Sequence, residues 1–237
     1  GEIVGEIQDM RSCFNVNAVG QASNEIENGQ PKMTVAAIQF QSLLISLGVD
    51  DFGAEQLTST LKDYIDEDTL SGPYGAEDAE YESRNVPYRA ANTLMQHRSE
   101  LRAVLGFNQD VYLNILSYVC AIPGEDSQLL NVNTIKVEQA ALLAAMLENK
   151  ISVSEAENII NNRPADGYEK IEEFWEGSSL SGIKIEANVK SSFVVDSQYF
   201  LLKAGAKVDT AIFRMDSVLK RNGKDLDVLT RQYGGQQ

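Results

Sequence analysis

The sequence predicts an α+β protein, with helices through the middle of the chain and an antiparallel sheet towards its C-terminal end. Between Thr34 and Arg163 apolar residues recur every three or four positions, the period of a helix with one buried face. From Ile183 onward apolar and polar residues alternate, the period of a half-buried strand. A sheet of few strands needs a cover, and apolar positions at the start of the chain predict a short helix that supplies it.

That first helix is predicted from Ile3, Ile7 and Met10, which share one helical face. Residues 15–17 then interrupt the pattern as a turn or short strand. The next helix begins near Thr34 and ends at Gly48, since glycine commonly terminates helices. Its apolar stripe, and the stripe of the helix after it, consist of Phe40, Leu43, Leu44 and Leu47, and of Leu57, Leu61, Tyr64 and Ile65.

The second half of the helical region shows recognisable helix boundaries. Helical segments are predicted over residues 90–105, 109–118 and 135–148, with Thr134 as the N-cap of the last. Ser152 and Glu155 form a capping box that opens a helix ending before Pro164. Residues 131–168 thus have the outline of a helix-hairpin-helix unit. The hairpin at residues 148–151 lacks glycine and is weakly charged, which favours helix packing over DNA binding.

The strands predicted after Ile183 follow short alternations that end in a hairpin. The alternating positions are Ile183, Ile185, Ala187 and Val189, then Phe193 and Val195, then Tyr199 and Leu201. Asn222 and Gly223 lie between residues 217–221 and 224–230, and this dipeptide is typical of a type I′ turn, which needs positive φ at both central residues.

Composition excludes some functions. The chain has 237 residues, enough for a well-buried core, and a formal net charge of -15, which disfavours binding to nucleic acid. The longest apolar run, residues 140–147, is far shorter than the ~20 residues that span a bilayer. Cys13 and Cys120 are the only cysteines, and on sequence alone they form either one disulfide or two buried thiols.

Signals of catalysis are missing from the sequence. His97 is the only histidine and stands in a polar setting beside Arg98, which favours a structural role. Nucleophile-elbow, zinc-helix and phosphate-loop motifs do not occur. A hydrolase that uses paired carboxylates stays open as an alternative, because 35 acidic residues produce such pairs by chance.

The acidic loop at residues 66–82 is the sharpest chemical feature. With Asp66 as the first position, Asp68 is the third and Glu77 the twelfth, positions from which an EF-hand binds calcium. Leu70 and Ser71 depart from the EF-hand pattern, so the loop is not an EF-hand. Its hard oxygen ligands suit Ca²⁺ better than Zn²⁺, and a solvated acidic loop without an ion is the alternative.

Several spaced motifs resemble the GspK-type minor pseudopilins of type II secretion. They cover nearly the whole chain in order and comprise residues 14–17, 61–68, 75–78 with Tyr81, 87–92, 100–106, 131–134 and 196–200. The resemblance implies a type IV pilin-like fold, with an N-terminal helix on an antiparallel sheet and a large inserted α-helical domain. We expect the pilin-like part to comprise residues 1–33 and 180–237 and the insertion to comprise residues 34–179.

The resemblance also implies a structural role and a location. Such a protein is not an enzyme; it sits at the tip of a periplasmic pseudopilus with GspI-like and GspJ-like subunits. Its full-length form is anchored in the inner membrane by a helix absent here. Calcium in the helical domain is a further expectation, placed on Asp66, Asp68, Glu77 and Asp78, with Asn92 or backbone carbonyls as added ligands. An oxidising periplasm favours the Cys13–Cys120 disulfide.

The rival interpretation is a stand-alone calcium-dependent binding module of the periplasm or cell exterior. It would share the acidic loop and need no partner subunits.

Overall fold

A computed structural model describes residues 1–23, 25–27, 30–177 and 179–234. The helices are α1 (Val35–Ser46), α2 (Asp51–Ile65), α3 (Asp78–Glu82), α4 (Gln109–Ile115), α5 (Ala140–Met146), α6 (Val153–Asn161), α7 (Ile171–Glu176) and α8 (Ala187–Lys190). The strands are β1 (Glu2–Asp9), β2 (Phe14–Asn15), β3 (Ile26–Glu27), β4 (Gln30–Pro31), β5 (Val119–Cys120), β6 (Leu130–Asn131), β7 (Phe193–Val194), β8 (Tyr199–Val208), β9 (Ala211–Asn222) and β10 (Asp225–Tyr233). Short 3₁₀ turns cover Met10–Ser12, Val16–Gly20, Arg98–Ala103 and Val137–Gln139. The α+β class is confirmed.

The main sheet joins both ends of the chain. Its four strands are antiparallel in the order β1-β8-β9-β10, with Glu2 opposite Lys207 and Asp9 opposite Phe200. The helix predicted from Ile3, Ile7 and Met10 is therefore wrong, because residues 2–9 form a strand. Residues four apart share a face in a strand as well as in a helix, so that spacing is ambiguous. The β-branched residues Ile3, Val4 and Ile7 favour the strand.

The two faces of this sheet differ in polarity. One face carries exposed apolar side chains, namely Ile3, Ile7, Phe213, Val228 and Tyr233. The other face carries Glu6, Lys203 and Asp216 in one cross-strand row and lines a cleft of about 1540 Å³ against the helical part. The apolar face lacks a covering helix among the residues that the structure describes.

The predicted C-terminal hairpin is confirmed, one residue later than expected. Asn222 pairs with Asp225, so the loop residues are Gly223 and Lys224. Of these two only Gly223 has positive φ (62°), so the predicted type I′ turn is wrong. The strand predicted over residues 183–189 is also wrong, since α8 occupies Ala187–Lys190 and Val189 is buried. Four alternating positions are too few to separate the two structures.

The helical part surrounds one large apolar core. The Phe14 and Phe40 rings lie 5.3 Å apart, and the buried Gln39 side chain of α1 donates to the Met146 carbonyl of α5 (2.9 Å). Phe193 belongs to the same core, so the core extends beyond the predicted insertion at both ends. The domain boundaries at residues 33 and 180 stay predictions.

Local capping explains most of the helix boundaries. The Thr34 hydroxyl caps α1 at the predicted start of that helix. The Ser152–Glu155 capping box opens α6, as predicted. Thr134 does not cap a helix; its hydroxyl donates to Asp9 Oδ2 (2.7 Å), and α5 begins only at Ala140. Residues 90–105 form a loop and a 3₁₀ turn in place of the predicted helix.

The sheet meets the helical part at the turn that follows β1. Asp9 Oδ2 accepts hydrogen bonds from Asn131 Nδ2 and Thr134 Oγ1, both at 2.7 Å. Arg11 is buried, lies 3.5 Å from a Glu125 carboxylate oxygen and stacks on the Tyr199 ring. The Cys13–Cys120 disulfide, which the resemblance favoured, is confirmed beside this contact. Polar, ionic and covalent links therefore converge on one junction.

Replacing Cys13 and Cys120 together by alanine should lower the free energy of unfolding by about 4–5 kcal/mol. The disulfide closes a loop of 107 residues, and a long closed loop restricts the unfolded chain most. Urea unfolding followed by circular dichroism measures the loss, and the reduced wild-type protein should match the double variant. Unchanged unfolding midpoints in both samples would contradict the prediction.

Candidate metal site in the acidic loop

The acidic loop is built around a buried carboxylate at the end of α2. Asp63 is 2% exposed, and its Oδ2 accepts a hydrogen bond from the Gly72 N–H at 3.0 Å. Gly75 passes so close that an added Cβ would lie 1.8 Å from Asp63 Oδ2. Asp63 thus draws the loop back against the helix, and only glycine fits at the closest approach.

Three of the four predicted ligands come together where this loop closes. Asp66, Asp68 and Glu77 each place a carboxylate oxygen so that all three oxygens lie within 4.8 Å of one another. Glu77 is 6% exposed, and both of its carboxylate oxygens lack a hydrogen-bond partner among the described residues, as does Asp66 Oδ1. Buried carboxylate oxygens without a donor are costly, and a bound cation is one way to satisfy them.

Asn92 adds a fourth oxygen at the same loop. Its backbone N–H donates to the Tyr64 carbonyl (3.0 Å), and its Nδ2 donates to the Asp68 carbonyl (3.1 Å). Its Oδ1 is buried and unpartnered among the described residues. Asn92 also adopts φ of +44°, a conformation that asparagine tolerates better than most residues. The side chain is therefore held against the backbone of the acidic loop, with its Oδ1 buried.

Asp78, the fourth predicted ligand, has a different role. Its Oδ1 accepts a hydrogen bond from the Ala90 N–H at 3.1 Å, and its Oδ2 lies 3.8 Å from Arg89 Nε. It is not part of the group formed by Asp66, Asp68 and Glu77. Asp78 ties the start of α3 to the segment that leads to Asn92.

Burial and mutual repulsion make ionisation of this site unfavourable. Burial, followed by the charges of Asp63, Asp66, Asp68 and Asp78, raises the pKa of Glu77 to about 7. Burial, followed by Asp68 and Asp63, raises the pKa of Asp66 to about 6. Burial also raises the pKa of Asp63. A divalent cation would reverse these effects by neutralising the charges that cause them.

The donor set fits a hard divalent cation. Three carboxylates and one amide oxygen are the ligands that Ca²⁺ and Mg²⁺ prefer, and the group contains neither histidine nor cysteine. The EF-hand spacing selected three carboxylates that the structure brings together, and their role as metal ligands stays a prediction. It did not identify Asp63 as the residue that shapes the loop, because a helical aspartate carries no spacing signal of its own.

His97 supports the structural interpretation made from the sequence. Its Nδ1 lies 2.7 Å from Ser99 Oγ and caps the 3₁₀ turn that follows. Burial, together with the charge of Arg98, lowers the pKa of His97, so the ring is neutral near pH 7. The ring is thus part of a turn rather than a base poised over a substrate.

These features define the class of protein: an α+β subunit in which both ends of the chain form one sheet, beside a helical part that carries a cluster of acidic side chains. Family profiles described as "Type II secretion system (T2SS), protein K" match residues 12–124 and 130–196. The chain belongs to this family, which is a family of structural pseudopilins and not of enzymes.

Individual relatives agree with that assignment. The chain is 37% identical to type II secretion system protein K of Pectobacterium carotovorum, over 99% of this chain and 71% of the relative. It is 38% identical to the Aeromonas hydrophila protein K, over 99% and 72%. Its fold matches a chain of the GspK-GspI-GspJ complex from enterotoxigenic Escherichia coli with a TM-score of 0.83 and 30% identity, over 99% of this chain and 80% of that one.

Gly75→Ala should destabilise the acidic loop far more than Gly72→Ala, the matched control. An added Cβ lies 1.8 Å from an Asp63 carboxylate oxygen at residue 75 but 3.2 Å at residue 72. Crowding of this kind costs on the order of 1–3 kcal/mol. Thermal melts and limited proteolysis of the loop, both in excess chelator, separate this effect from metal binding. Equal melting temperatures for the two variants would show that Asp63 does not shape the loop.

Proposed function

We propose that this chain is part of a minor pseudopilin at the tip of the type II secretion pseudopilus. It assembles with GspI-like and GspJ-like subunits and supports protein export across the outer membrane without catalysing a reaction. The observation that carries the proposal is the match, over almost the entire chain, to a subunit in a structure described as a GspK-GspI-GspJ complex.

The proposal includes a periplasmic location and an inner-membrane anchor. No helix in the described ranges is long and apolar enough to cross a membrane. The chain spans 71% of the Pectobacterium relative, so that relative has room for a further segment. We place the anchoring helix of the full protein on the apolar sheet face, where Ile3 is 85% and Phe213 54% exposed. Burying such a face is what the helix of a pilin-like fold does.

Co-expression with the GspI-like and GspJ-like subunits of the same organism should yield a stable complex of all three. Phe213→Glu, on the apolar sheet face, should weaken assembly of the full-length protein, because a charge there opposes helix packing. Phe52→Glu is the matched control, since Phe52 is equally exposed on the helical part. Size-exclusion chromatography with mass determination measures the complex. Failure of the wild-type subunits to associate would refute the assembly role.

We further propose that Ca²⁺ binds in the acidic loop. Asp66, Asp68, Glu77 and Asn92 Oδ1 would hold the ion, which supplies the positive charge that this loop lacks. The support is the convergence of three carboxylates within 4.8 Å, together with the buried, unpartnered oxygens of Asp66, Glu77 and Asn92 among the described residues. An ion that binds only the folded protein stabilises it by about 2.7 kcal/mol at a hundredfold excess over its dissociation constant.

Chelation should lower the melting temperature and expose residues 66–82 to protease. Glu77→Gln should abolish the rise in melting temperature on adding calcium, because it removes the most buried ligand charge. Asp78→Asn should keep that rise, since Asp78 bonds to Ala90 instead. Mg²⁺ should substitute poorly, because it demands near-ideal octahedral geometry. Superimposable melts with calcium and with chelator would refute the metal site.

The stand-alone calcium-dependent binding module stays the second candidate. It is favoured by the same acidic loop. An intact calcium response combined with failed co-assembly would select it over the pseudopilin.

A further inference from the structure

The outer edge of β1 is an open strand edge. β1 lies at one end of the main sheet, and within the described part of the chain it pairs with β8 alone. The eight residues of β1 pair with β8 without a register break, and they include neither proline nor lysine. Proteins commonly protect edge strands with proline, charged side chains or bulges, because unpaired backbone groups accept a further strand. The charges of β1 are all acidic, so they repel a like strand but leave the edge open to a basic one.

The opposite edge of the sheet is protected. β10 contains a register break between Val228 and Thr230, and such bulges twist an edge away from further pairing. Of the two edges, therefore, only β1 has the regular geometry needed to extend the sheet.

The side chains of β1 indicate the chemistry of an added strand. Asp216, Lys203 and Glu6 form a cross-strand row in which the charges alternate. On an added strand, the residue opposite Glu6 would therefore be basic, because opposite charges stabilise neighbouring strands and like charges destabilise them. Glu2 repeats the arrangement beside Lys207. On the other face, Ile3 and Ile7 are 85% and 67% exposed.

We propose that β1 accepts an extended segment of a partner protein as a fifth strand. That segment carries two basic residues four positions apart, about 13 Å, which face Glu2 and Glu6. Its opposite face carries apolar residues beside Ile3 and Ile7. The inference stands independently of the proposed function, since it rests on this edge and its charges.

A second copy of this chain does not fit the edge. If two β1 strands pair antiparallel with even-numbered residues opposite even-numbered residues, the four glutamates lie on one face and no additional cation joins them. If even-numbered residues lie opposite odd-numbered residues, Glu2 or Glu6 lies beside the apolar residues of the other copy. Both arrangements are unfavourable, so the partner carries a different sequence.

A capped peptide of sequence Lys-Val-Thr-Thr-Lys-Val-Thr-Thr, the length of β1, tests the proposal. Fluorescence anisotropy with the whole chain should show saturable binding at or below about 1 mM peptide. The same peptide with N-methylated backbone amides should not bind, because it cannot donate to a strand edge. No saturation, or equal binding of the methylated peptide, would overturn the proposal.

Exchanging the charges of Glu6 and of the peptide lysines tests which residues of the two strands lie opposite each other. Glu6→Lys should weaken binding of the lysine peptide by about fivefold, and a peptide with glutamate in place of lysine should then bind better to this variant than to wild type. That gain also shows that the variant is folded. Asp225→Lys, on the protected edge, changes the net charge equally and should leave binding unaltered. If Glu6→Lys and Asp225→Lys change the binding equally, the peptide binds through net charge alone, and the proposal is overturned.

Discussion

The hydrogen bonds that Asp9 accepts from Asn131 and Thr134 are the interactions on which the two-part architecture depends. Asp9 is the last residue of the first strand, and the next turn carries Arg11 and the disulfide cysteine Cys13. Because β1 pairs with β8, the helical part both leaves and rejoins the sheet near this point. The junction therefore sets the orientation of the acidic loop relative to the sheet.

The acidic loop shows how a site can be preorganised at a cost in stability. Asp63 holds the chain by accepting a hydrogen bond from Gly72, while Glu77 and Asp66 keep oxygens without donors in a buried position. Raised pKa values of about 7 and about 6 express that cost. With the proposed ion the same oxygens become ligands, so loop order and ion binding are thermodynamically linked.

The sequence predicted those structures that depend on neighbouring residues, and it missed those that depend on contacts between distant residues. Long 3.6-period stripes and local caps located α1, α2 and α6, and the Asn222–Gly223 dipeptide located the hairpin to within one residue. The first strand was mistaken for a helix because Ile3 and Ile7 satisfy both periods, and pairing with β8, which lies about 200 residues away, stabilises the strand. In the site, spacing identified three carboxylates. The bond between Asp78 and Ala90 is tertiary and has no local signature.

The pairing of residue 9 with residue 200 also constrains the order of folding. During synthesis the first strand has no partner until residues 199–208 have been made, whereas most residues of the helical core lie between the two paired strands. Much of the helical part can thus bury its core while β1 is still unpaired. Sheet formation is then the late, non-local and slow step. Until β8 is available, β1 has an unpaired backbone on both sides and carries the exposed side chains of Ile3 and Ile7, which makes it the segment most exposed to aggregation.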